Sequence, residues 1–181
     1  MKTRFSHAAA FGLFAGVAAM IFSLLIYLVA GPMSAWNYLS YVIAAIVFSF
    51  GVKKWREANG GFLTFGQSYV HLILQSLIYA VIMGIWAFIF FKYIAPGAIE
   101  DMLLMMEVQW EEQGMSQSQI DAGLEMTRSW MTPTSMMTWS AIMNAVIFAV
   151  VNLIVAAIMK KDPPTPSFQP PAPYTNYPPQ A

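Results

Sequence analysis

An all-α membrane protein with four transmembrane helices is the fold class this sequence predicts. Three observations carry the prediction: four long apolar segments, the confinement of every formal charge to the stretches outside them, and a one-sided distribution of basic residues. The chain has 181 residues, 58% apolar and 10% charged, against roughly 45 to 50% apolar and 25% charged in an ordinary soluble domain. Nine basic residues balance nine acidic ones, which leaves no cationic excess for nucleic acid. The absence of cysteine removes disulfides, thiolate metal sites and cysteine nucleophiles together.

A hydrocarbon core about 30 Å thick requires about 20 apolar residues in helix, because backbone N–H and C=O groups find no water there and must pair within the segment. Residues 8–30, 35–52, 68–91 and 136–159 meet that length without one Asp, Glu, Lys or Arg. A charge at mid-helix costs at least ~2.5 kcal/mol on insertion scales, so this segregation suits spanning helices and is not needed by a soluble bundle. The spans form a membrane domain over residues 1–162, followed by a tail over 163–181.

The first span follows Lys2 and Arg4, as a secretory signal would. A signal's apolar region is roughly 7 to 15 residues, shorter than this one, and a second span follows at once, so a retained helical hairpin is expected. Gly31-Pro32 stops the first helix. If the spans alternate in direction, Lys2, Arg4, Lys53, Lys54, Arg56, Lys160 and Lys161 share one side, and only Lys92 and Arg128 lie opposite. Basic flanks resist translocation, so both termini are expected in the cytoplasm of a bacterial inner-membrane protein.

Between the second and third spans, Asn59-Gly60-Gly61 supplies a tight turn, and Thr64 with Gln67 forms a capping box for the third helix. The loop between the third and fourth spans is too long to be structureless. It reads as an extracytoplasmic helical hairpin over 97–131, with Ile99, Leu103, Met106 and Trp110 on one apolar stripe and Ile120, Leu124 and Met131 on another. Gly114 ends its first helix, Ser116 and Gln119 cap its second, and Pro133 stops that second helix. Seven acidic residues and two basic ones give this loop a net charge of −5. Eight prolines in the 19-residue tail predict an extended cytoplasmic segment. Membrane lipids are the expected surroundings, and the hairpin and the tail are the two candidate docking points for a protein partner.

Gly60-Gly61-Phe62-Leu63-Thr64-Phe65, Tyr93-Ile94-Ala95-Pro96, the Gly114-Met115-Ser116 turn with Gln119 and Ile120, and the closing Ala156-Ala157-Ile158-Met159-Lys160-Lys161 together resemble the bacterial domain-of-unknown-function family 4199. The resemblance runs over about 1–162. It implies a small four-span inner-membrane protein and carries over no functional residue.

Candidate chemistry lies inside the spans. Ser68, His71, Gln75 and Tyr79 share one face of the third helix, and Ser140, Asn144 and Asn152 one face of the fourth. Gln75 and Asn152 stand at matching depth, and the expectation is that their amides meet across the helix interface. His71 is expected to be the only span residue that titrates near neutral pH. Gly12 and Gly16 form a GxxxG, and Ala80 with Gly84 another small-residue pair, which allow close helix packing within the chain or between copies. Met102, Met105 and Met106 are a conceivable Cu(I) cluster, but no His or Cys accompanies them, and an adaptable apolar face explains them better. No HExxH, serine–histidine pair or membrane carboxylate supplies enzyme chemistry, and no metal or cofactor is implied. The reading is a structural or interaction component without catalytic activity. The alternative is a small transporter or channel subunit with a polar path lined by His71, Gln75 and Asn152.

Overall fold

The structure is a computed structural model and describes residues 4–31 and 34–164. Lys2 and Pro32 lie outside the described residues, as does the proline-rich tail beyond residue 164. Among the described residues six α-helices and no strands are found: α1 (Arg4–Ala30), α2 (Leu39–Ala58), α3 (Phe65–Ile89), α4 (Ala98–Glu112), α5 (Gln117–Trp130) and α6 (Pro133–Met159). Four stretches are long and apolar enough to cross a membrane: α1, α2 with its leading 3₁₀ turn Ala35–Tyr38, α3 with the π turn Phe90–Ile94, and α6.

The core is arranged as a membrane requires. Leu13, Phe14, Val42, Ile46, Val81, Ile85, Val146 and Val150 point outward and are exposed, whereas His71, Gln75, Ser76 and Asn152 are fully or almost fully buried. Apolar side chains outside and hydrogen-bonding groups inside invert the soluble pattern, because lipid solvates the former and not the latter. α3 is the central helix, packed along α6 on one side and α1 on the other, with α2 against α1 closing the bundle. Phe48, Leu72, Tyr79 and Phe148 fill the centre.

Small residues set these spacings. A Cβ on Gly12 would sit 2.5 Å from the Gln75 carbonyl oxygen, and one on Gly16 would lie 2.8 Å from the Ile82 side chain. The GxxxG of α1 therefore packs on α3 of the same chain. Gly84 does the same for α6, where a Cβ would meet the Met137 carbonyl oxygen at 2.9 Å and the Ala141 Cβ at 3.0 Å. Ala80, one turn earlier on α3, is buried.

Both described termini and the α2–α3 loop gather at one end of the bundle, here called the loop end. Arg56 Nη1 donates to the Met159 carbonyl at 3.0 Å, and Leu63 and Lys161 exchange backbone hydrogen bonds of 2.9 and 2.8 Å. Gly60 and Gly61 take the positive φ of 77° and 84° that this turn needs, and Thr64 and Gln67 form the capping box. The opposite, hairpin end carries α4 and α5, which pack on each other rather than along the spans. Leu103 and Ile120 are buried between them, Trp110 covers Gly123, and Arg128 Nη2 reaches Glu100 at 2.7 Å.

Two details differ from the sequence expectation. Pro133 opens α6 at its first turn, with Thr132 as N-cap accepting from Ser135 N, in place of merely ending α5; a proline's missing N–H costs nothing there. The π turn, closed by Ala95 N donating to Phe90 O at 2.8 Å, had no signal in the sequence.

Candidate functional site

The polar face of α3 runs through the middle of the bundle from the loop end toward the hairpin end. Ser68, His71, Gln75 and Tyr79 are all fully buried on it, in the order the helical spacing predicts. Each meets a different neighbour. His71 Nε2 lies 3.2 Å from His7 Nδ1, a distance at which the two imidazoles share one proton, and the Trp55 ring stacks on His71 at 5.1 Å and 11°. Gln75 sits against Gly12 of α1 and Gly51 of α2, and among the described residues its amide makes no hydrogen bond. Tyr79 is held edge-on by Phe48 at 5.7 Å and Phe148 at 5.1 Å, and among the described residues its hydroxyl makes no hydrogen bond of standard geometry.

The expected Gln75–Asn152 contact is not made. Asn152 Nδ2 donates to Ser76 Oγ at 3.1 Å instead. Equal depth fixed the height of the two amides but not their bearing: Ser76 is about 100° further round α3 and faces α6, while Gln75 faces α1 and α2. Asn144 on α6 turns its amide nitrogen back to the Ser140 carbonyl at 2.8 Å. Nor is His71 the only imidazole in the spans. α1 begins at Arg4, four residues before the span expected from Ala8, so His7 lies within the helix and pairs with His71. Continuing the inward α1 stripe of Ala15 and Phe11 back by one turn would have reached it.

A cavity stands at each end of this polar face. At the loop end a half-open cavity of about 250 Å³ is lined by Arg4, Trp55, Asn59, Leu63 and Gln67, with Arg4 Nη2 donating to the Gln67 carbonyl. At the hairpin end a half-open cavity of about 320 Å³ is lined by all four spans, with Ser23, Asn37, Ser40, Tyr79, Ser140 and Asn144 among its walls. Phe48, Leu72 and Phe148 close the core between them. Among the described residues no group of three or more His, Asp or Glu comes together.

A four-helix, multi-pass membrane protein with a closed, polar-striped core and an extramembrane helical hairpin is the class this architecture defines. The sequence model of a family described as Protein of unknown function (DUF4199) matches residues 10–161, and the chain belongs to that family. No curated protein and no solved structure matches it.

Proposed function

We propose that the protein is a non-catalytic interaction component of the bacterial inner membrane, whose bundle anchors the α4–α5 hairpin as a docking element outside the cytoplasm. The orientation is supported by the basic residues: Lys53, Lys54, Arg56, Lys160 and Lys161 all flank the loop end.

The observation that carries the reading is the hairpin's unspent apolar surface. Its inward stripes are used up in self-packing, yet Leu104, Met105 and Val108 on α4 and Met126 and Trp130 on α5 remain exposed. Exposed apolar patches rimmed by polar residues mark interaction sites. The net charge of −5 over 92–135 selects the occupant. An anionic headgroup layer repels such a hairpin, whereas a protein with cationic residues around an apolar centre complements it.

Since the natural sequence lacks cysteine, Val108→Cys and Met126→Cys give single attachment points for a photo-crosslinker in native membranes. The expected result is one discrete protein adduct from both positions, weakened by high salt and absent when the label sits on lipid-facing Val146→Cys. Lipid adducts alone from positions 108 and 126 would refute the docking reading.

A second reading, a small transporter or channel subunit, draws on the α3 stripe that runs from one end cavity toward the other. Its path would include His71, Gln75 and Asn152, all inaccessible to solvent in this conformation. Proteoliposomes measured for proton or solute flux test it, with Gln75→Leu expected to abolish any flux that the path carries.

A further inference from the structure

The hairpin-end cavity combines features that the docking reading does not use. It lies among four membrane spans, yet hydroxyl and amide groups from every one of them converge on it: Ser23 from α1, Ser40 from α2, Tyr79 from α3, and Ser140 and Asn144 from α6. Packing alone is better served by apolar residues at such a place, because each buried polar group must find a partner. Tyr79, fully buried, lines this cavity beside Ser40, and among the described residues its hydroxyl makes no hydrogen bond of standard geometry.

The hydrogen-bond inventory specifies what would fit. Ser40 Oγ already donates to the Asn37 carbonyl at 2.6 Å, Ser140 Oγ to the Met83 carbonyl at 3.3 Å, and Asn144 Nδ2 to the Ser140 carbonyl at 2.8 Å. The Ser40 and Ser140 hydroxyl protons go to backbone, and the Asn144 amide nitrogen also reaches Ser140 Oγ at 3.3 Å, so Ser40 Oγ and Asn144 Oδ1 offer acceptor capacity, and Tyr79 Oη adds a group that both donates and accepts. Ser23, Ser34, Tyr38 and Tyr41 add further hydroxyls to the walls, so the complementary ligand carries groups that both donate and accept, as O–H groups do. Among the described residues no Asp, Glu, Lys, Arg or His lines the cavity, so an ion would be desolvated there without a counter-charge. The volume, about 320 Å³, is at the small end for ligand sites. A neighbouring chamber of about 160 Å³ shares Ser23, Asn37, Met83 and Ser140 with it and adds Tyr27, Trp86 and Phe90, apolar ring surface suited to the C–H face of a sugar.

We propose that the hairpin-end cavity is a binding site for a small, neutral, hydroxyl-rich molecule of the size and chemistry of a polyol or monosaccharide. Hydroxyls of the ligand donate to Ser40 Oγ and Asn144 Oδ1, Tyr79 Oη completes the set, and the aromatic chamber takes the carbon face. The site stands whether or not the hairpin docks a partner.

The test uses the full chain in lipid nanodiscs, which avoids sugar-based detergents. Ser23→Cys places a single thiol at the cavity wall, and its reaction rate with a neutral, water-soluble maleimide is followed with glycerol, glucose and myo-inositol as probes. The expected result is saturable protection by at least one of the three, with the protecting affinity weakened about tenfold or more by Asn144→Ala, which removes an acceptor. Tyr79→Phe, which keeps the ring and its packing, weakens protection in the same direction and serves if Asn144→Ala does not fold. Saturation-transfer NMR with the same probes on the unsubstituted chain gives the parallel reading without a label. The proposal is overturned if none of the three probes protects or gives saturation transfer, if protection is unchanged in both variants, or if glucosamine or gluconate protects at lower concentration than the neutral probes.

Discussion

Replacing Gly12 by alanine adds one methyl group at the tightest point of the α1–α3 interface. That carbon would stand 2.5 Å from the Gln75 backbone oxygen and 3.0 Å from Ile78 Cβ. An unstrained carbon contact begins near 3.4 Å, so the helices must separate by roughly 1 Å, and the nearest obstacle is backbone that no rotamer change can move. Overpacking of this kind costs about 1–3 kcal/mol. The same substitution also gains up to about 1 kcal/mol of helix propensity, which would hide part of the loss. Gly66→Ala supplies the correction: Gly66 lies in the first turn of α3 with nothing within 4 Å of its would-be Cβ, so it registers propensity without a clash. The difference between the two variants, measured by equilibrium unfolding in mixed detergent micelles, is expected at about 1–3 kcal/mol with Gly12→Ala the weaker. A difference below about 0.5 kcal/mol, within the scatter of surface substitutions, would refute the intramolecular packing of the GxxxG. A change in particle size with no loss of stability would move those glycines to a contact between copies.

Gln75→Leu is expected to leave the unfolding midpoint unchanged or to raise it, because the replaced amide makes no hydrogen bond, whereas Asn152→Leu is expected to lower stability by about 0.6 kcal/mol through loss of its bond to Ser76. In the hairpin, Ile120→Ala empties a fully buried position and should cost about 2–5 kcal/mol locally, read as faster amide exchange throughout α4 and α5 with α3 and α6 unaffected. Arg128→Ala removes an ion pair whose two side chains are both exposed, and its effect on the same exchange rates should correspond to less than about 1 kcal/mol. For sidedness, Gln113→Cys at the hairpin tip should react with an impermeant thiol reagent in intact cells, and Asn59→Cys only after the membrane is opened; the reverse pattern would invert the proposed orientation.

The four spans were legible because lipid punishes charge at every position of a helix, so a charge-free window of sufficient length is hard to produce otherwise. The hairpin's inward stripes were legible too: Leu103 and Ile120 recur at the helical period and are the buried residues at its centre. Of its outward apolar residues, Met105 was legible with Met102 and Met106 as an adaptable apolar face, but Leu104 and Val108 were not, since a periodic search that had already found one stripe treats them as the solvated side. The α3 polar face was visible as spacing, but its partners were not. Sequence gives depth along a helix and leaves open which neighbour stands at which bearing, which is why Asn152 met Ser76 and not Gln75. His7 escaped because the span was begun at Ala8, at the edge of the purely apolar run, whereas the charge-free stretch and the helix both reach further back. The hairpin-end cavity draws on four helices whose mutual rotation no local pattern encodes.

The backbone exchange between Leu63 and Lys161, backed by Arg56 gripping Met159, has a mechanical consequence. Tension arriving from beyond Lys161 reaches this two-bond latch before it reaches the last turn of α6, and the latch shares the load with α2 and α3. Weakening this end by Arg56→Ala, which removes the grip on Met159 and leaves the two backbone bonds, should let a pulled carboxyl terminus unravel α6 at lower force.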